Sequence, residues 1–70
     1  MSRTVLVNID VEKLRADLAM ADQREIPAED VHRFLVDAGF KRTDAGWLVS
    51  EENLSHLDPS EVLSAEVINE

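Results

Sequence analysis

His32, His56, the serines at positions 50, 55, 60 and 64, and fifteen acidic side chains are the groups of this 70-residue chain that could do chemistry. A neutral imidazole can ligate a metal or carry a proton. Asp30 stands two residues before His32, and Asp58 two after His56. Two histidines on separate elements, with no third ligand in pattern, read most simply as a helix-surface residue and a loop residue. The serines lack the glycine pattern of a nucleophile elbow, and Ser50 and Ser60 suit helix starts. Gly39 and Gly46 are the only glycines, and both fall at turns, so no phosphate-cradling loop is present. The oxygen-ligand spacing of an EF-hand loop is also missing. Seventy residues leave little room for a pocket with a supporting shell. The expectation is a protein that is not an enzyme, with no cofactor and no metal.

Charge is the feature left over. All seven basic residues lie at or before Arg42, and the segment after it carries Asp44, Glu51, Glu52, Asp58, Glu61, Glu66 and Glu70 with no base. Residues 1–42 are nearly balanced, so residues 43–70 supply −7 of the net −8. One-signed charge repels itself. What it provides is solubility and a field that attracts cationic partners while repelling nucleic acid and anionic membrane. There is no cysteine, hence no disulfide framework and no cysteine zinc site. No apolar run approaches the ~20 residues that span a bilayer, and the apolar stretch before Asp10 is too short for a signal peptide. A cytoplasmic protein with no membrane partner is expected.

The elements that would position these groups can be read from spacing. Val5, Val7 and Ile9 alternate along residues 4–9, a strand. Asp10 can cap a helix over 11–22, with Val11, Leu14, Leu18 and Ala21 on one side. Pro27 suits the first position of a second helix, in which Val31, Phe34, Leu35 and Ala38 make an i, i+3, i+4, i+7 stripe. Gly39 ends it, and Leu35 with Phe40 would close a Schellman motif. Residues 40–50 read as a hairpin, with Asp44-Ala45-Gly46 as a three-residue loop and Gly46 left-handed. Trp47 and Val49 would share one face, Leu48 and Ser50 the other. Ser50 can cap a helical turn through Leu54. Asp58, Pro59 and Glu61 form a capping-box start, with Leu57 and Val62 as the hydrophobic staple. These cues predict a C-terminal helix from Pro59, although Ser64 to Ile68 also reads as a strand. The whole is one small α+β domain, strand-helix-helix-hairpin-helix. A chain this short buries roughly 60% of its unfolded surface.

This order, with the Phe34-Leu35 pair, the Ala38-Gly39-Phe40 junction and the basic Lys41-Arg42 opening the hairpin, resembles the winged helix-turn-helix family over residues 4–50. The resemblance implies a scaffold whose second helix enters the major groove, with Arg24, Arg33, Lys41 and Arg42 as the bases facing nucleic acid. This chain departs from that pattern. The exposed side of its second helix includes Glu29, Asp30 and Asp37 beside His32 and Arg33, and DNA affinity depends chiefly on neutralising phosphates. The helix that usually precedes the strand is also missing, unless the C-terminal helix replaces it. Many winged helices bind protein instead, and fold does not set function.

The sequence therefore points first to a non-catalytic, acidic protein-binding regulator or inhibitor. It would present Asp44, Glu51, Glu52, Asp58, Glu61 and Glu66 to a basic protein surface, one that otherwise holds nucleic acid, since carboxylates can imitate a phosphate track. Phage-encoded inhibitors of nucleic-acid-handling enzymes share this size and charge. Trp47 reads either as core against Phe40 and Leu35 or as an interface anchor. The alternatives are a DNA-binding winged-helix regulator and an accessory subunit docked through apolar residues. Leu48 and Val36, off the core stripes, would serve such a contact or a homodimer.

Overall fold

A computed structural model describes residues 3–69. The α+β class is as the sequence predicts: β1 (Thr4–Ile9), α1 (Val11–Asp22), α2 (Ala28–Asp37), β2 (Lys41–Thr43) and β3 (Gly46–Ser50) succeed one another. A 3-10 segment (Glu51–His56), a 3-10 turn (Pro59–Glu61) and β4 (Val62–Asn69) follow. All four strands form one antiparallel sheet in the order β2-β3-β1-β4.

One face of the sheet supplies half the core. Val5, Val7 and Ile9 of β1 and Trp47 and Val49 of β3 are buried, while Leu6 and Leu48 between them are only half-buried. The register sets Val5 opposite Val49 and Val7 opposite Trp47, so the alternating residues of both strands converge on the same side. Leu14 of α1, Ile26 of the connection, Val31 and Leu35 of α2, Phe40 and Leu57 close over them. Each such side chain contributes about 1.5–3 kcal/mol by leaving water. Leu35→Ala would cost about 2–5 kcal/mol.

The helix ends obey local rules. The Asp10 carboxylate accepts from the Lys13 amide at 3.1 Å, capping α1. Phe40 N–H donates to Leu35 C=O at 2.9 Å and Gly39 N–H to Val36 C=O at 3.0 Å, the paired bonds of the expected Schellman ending. Gly39 has φ +95°, a conformation that L side chains rarely adopt. The first helix is less amphipathic in place than its spacing suggests: Leu14 is buried, Leu18 and Ala19 pack partly, and Val11 and Ala21 are exposed.

Two expectations are corrected. The hairpin loop holds two residues, Asp44 and Ala45. Gly46 already pairs with Thr43, although its φ of +145° is positive as expected, a conformation that L side chains rarely adopt. A side chain there would meet Val7 C=O at 2.7 Å, which explains the glycine. The larger correction is the C-terminal helix. Its start exists, but Asp58-Pro59-Ser60-Glu61 makes a single 3-10 turn, and Val62 (φ −105°, ψ 118°) opens β4 instead. β1 would otherwise be an edge strand with its backbone groups unpaired on one side. Pairing with β4 satisfies them, and the segment's β-branched residues suit a strand. β4 carries two irregularities, at Leu63 and Ile68, each skipped by the β1 ladder.

Candidate functional site

The acid-only segment builds a groove. The 3-10 segment leaves β3 at Ser50, and Leu54 and Leu57 fold back beneath it. Leu57 is buried among the core residues and Leu54 is half-buried. The Leu57 N–H bonds Leu54 C=O at 3.1 Å, which fixes the spacing of the two leucines. Pro59 and Val62 line the same depression as the two leucines. The resulting depression of about 470 Å³ is lined by Glu51, Leu54, Ser55, Leu57, Pro59 and Val62. Four of its six lining residues are apolar, and its one charged wall is an acid. Glu52 is next to Glu51 in the chain, and Asp58 joins Leu57 to Pro59, so further carboxylates border it.

The carboxylates differ sharply in state. Glu51 is exposed but ion-paired with Arg3, and its N–H donates to Arg3 C=O at 2.9 Å. The Asp58 carboxylate accepts from both the hydroxyl and the amide of Ser60, which holds its pKa below the ordinary aspartate value. Glu61 is a correction to the expected acidic face. It is only 5% exposed, and its Oε1 accepts from the Asp58 N–H at 2.7 Å to complete the capping box. Burial, followed by a hydrogen bond with Asp17, raises its pKa above the ordinary glutamate value. Asp17 in turn is lowered, first by its bond from Lys13 Nζ at 2.7 Å and then by Glu61. Glu61 is thus part of the joint between α1 and the 3-10 turn, where Asp10 N–H also bonds Glu61 C=O at 2.8 Å.

The remaining expected residues do not gather. Asp44 sits on the β2–β3 turn, and Glu66 sits on β4, at opposite edges of the sheet. Trp47 takes the core alternative: it is 5% exposed, with His32 at 5.4 Å and the Arg42 guanidinium at 5.3 Å from its ring. It cannot anchor a partner without being uncovered. The bases assigned to nucleic acid are mostly occupied. Arg24 reaches Asp22 and Asp30, Arg33 reaches Asp30, and Arg42 lies on Trp47, while Lys41 is on the exposed β2 edge.

Two of the serines are likewise in structural use. The Ser55 hydroxyl donates to Glu52 C=O, and Ser64 Oγ accepts from Asn8. Among the described residues no three metal-ligating side chains converge, and no helix is long and apolar enough to cross a membrane. The Asp17–Glu61 contact and the Arg3–Glu51 pair join residues far apart in the sequence. The i, i+4 spacing of Lys13 and Asp17 was a legible signal for one part of it. The other partners are 44 and 48 positions apart, with no local pattern to connect them. Comparison with protein-family models, with curated proteins and with solved structures found no match to this chain.

Proposed function

We propose that this chain is a non-catalytic protein-binding module that receives a basic, apolar segment of another protein. The groove between the two 3-10 turns is the seat. An apolar side chain of the partner fills the space bounded by Leu54, Leu57, Pro59 and Val62. Lysine or arginine on either side of it meets Glu52 and Asp58, and competes with Arg3 for Glu51. Apolar burial supplies most of the affinity, and the charges supply orientation and discrimination. By occupying a basic surface that otherwise holds nucleic acid, the module would act as a regulator or inhibitor. The observation that carries this reading is the apolar groove built wholly from a segment that contains acids and no lysine or arginine. Asp44, Trp47, Glu61 and Glu66 have no part in it.

The test is a titration of the isotope-labelled protein with a short peptide of alternating leucine and lysine, monitored by amide NMR shifts. A matched leucine–glutamate peptide serves as control. The lysine peptide should move the amides of Leu54, Ser55, Leu57 and Val62, less so at high salt, and Leu54→Asp should remove the response. Shifts spread evenly over all exposed carboxylates, or none at all, would overturn the groove as a binding site.

A further inference from the structure

The two edges of the sheet are unlike. β2 is three residues long and carries Lys41 and Arg42, both exposed. Short length and charge are the usual means of keeping an edge from pairing with another chain. β4 is eight residues long, pairs with β1 on one side alone, and holds Glu66 as its one charged residue. Leu63 is 67% exposed, Ile68 51% and Val67 41%. A long apolar edge of this kind is a template for another strand.

The order of residues on β4 says which strand. Taking Ala65 as centre, positions one away are Ser64 and Glu66, both polar. Positions two away are Leu63 and Val67, and positions three away are Val62 and Ile68, all apolar. The pattern is the same read in either direction. A two-fold axis between antiparallel neighbours makes one residue its own partner and sets its flanking residues against each other. We propose that two copies of this chain associate by antiparallel pairing of their β4 strands, with Ala65 opposite Ala65. Residues 64–67, the uninterrupted stretch between the irregularities at Leu63 and Ile68, form the centre of the ladder, and at its ends Leu63 lies by Val67 and Val62 by Ile68 of the other copy. Glu66 faces Ser64, whose oxygen accepts from Asn8 Nδ2 at 3.0 Å and whose hydroxyl proton is left to donate to the carboxylate. Moving the axis one residue, to Glu66, would oppose two carboxylates, so charge selects the Ala65 register. The pair joins two four-stranded sheets into one of eight strands, with a blunted β2 at each end. Growth therefore stops at two.

The absence of cysteine makes the register directly testable. Ala65→Cys should cross-link under mild oxidation into a covalent dimer, because its sulfur meets its own copy. Leu63→Cys, which lies by Val67, should cross-link at least about tenfold more slowly. Sedimentation equilibrium of the unmodified chain should give twice the 7.9 kDa mass at high concentration. Association should tighten as salt screens two protomers of charge −8. Leu63→Lys, exposed enough to leave the fold intact by circular dichroism, should weaken it at least about tenfold. A monomer at every concentration, cross-linking as fast through Leu63→Cys as through Ala65→Cys, or assemblies larger than two would each overturn the proposal.

Discussion

The Arg42 guanidinium lies over the Trp47 ring, 5.3 Å from its centre, and the two residues are direct cross-strand partners between β2 and β3. The short β2 strand would otherwise leave the indole open to water at the sheet edge. Arg42 closes it from one side and His32 from another. A base that the sequence offers to nucleic acid thus serves as a lid on the core.

Arg42→Ala should therefore red-shift the emission of Trp47, the only tryptophan. It should cost about 0.5–1 kcal/mol, the range of an exposed cation–π contact. Fluorescence and urea unfolding measure both. An unchanged emission maximum would show that the arginine does not cover the ring in solution.

Glu61 should make stability fall as pH rises. Its pKa is raised in the fold by burial and by Asp17. Its contribution is therefore fully present below the ordinary glutamate value of 4.5 and is lost as pH climbs through the higher folded value. Asp17 acts in the opposite sense: its lowered pKa stabilises the fold above the ordinary aspartate value, and this is lost as pH falls through the depressed one. Glu61→Gln keeps an acceptor for the Asp58 amide and removes the ionisation, so its urea midpoint should exceed that of the unmodified chain at neutral pH and lose the downward slope. Glu61→Ala should cost about 0.3–1.5 kcal/mol through the lost capping box. A glutamine variant with the same pH slope as the parent would assign that slope to another group.

The two glycines should differ in tolerance. A Cβ at Gly39 meets Asn53 Nδ2 at 2.7 Å, the end of a side chain that can turn away. A Cβ at Gly46 meets Val7 C=O at the same distance, and that carbonyl belongs to the central strand β1. Both substitutions carry the strain of a positive φ, about 1 kcal/mol or more. Gly46→Ala should be the worse by a further 1 kcal/mol or so. Thermal unfolding of both variants decides it, and equal losses would mean that the β1–β3 contact yields as readily as Asn53.

Short-range patterns determined β1, both helices, the hairpin strands and the capping box at Asp58. Each is set by side chains within about four positions: alternation in Val5-Val7-Ile9, the Val31–Leu35 stripe, the Leu35–Phe40 closure around Gly39. The same local cues could not choose the conformation beyond Pro59. A capping box favours one helical turn whether a helix or a strand comes next, and Val62 to Ile68 carries residues that suit both. The choice fell to β1, whose unpaired edge lies more than 50 positions away in the chain and takes β4 as its partner. Composition likewise established that the acids are concentrated after Arg42, but not where they point. Only folding put Glu61 into the joint with Asp17, Glu51 against Arg3, and Asp44 and Glu66 on opposite margins of the sheet. Charge counts add along a chain without regard to direction; burial and pairing depend on which distant groups the backbone brings within a few ångströms.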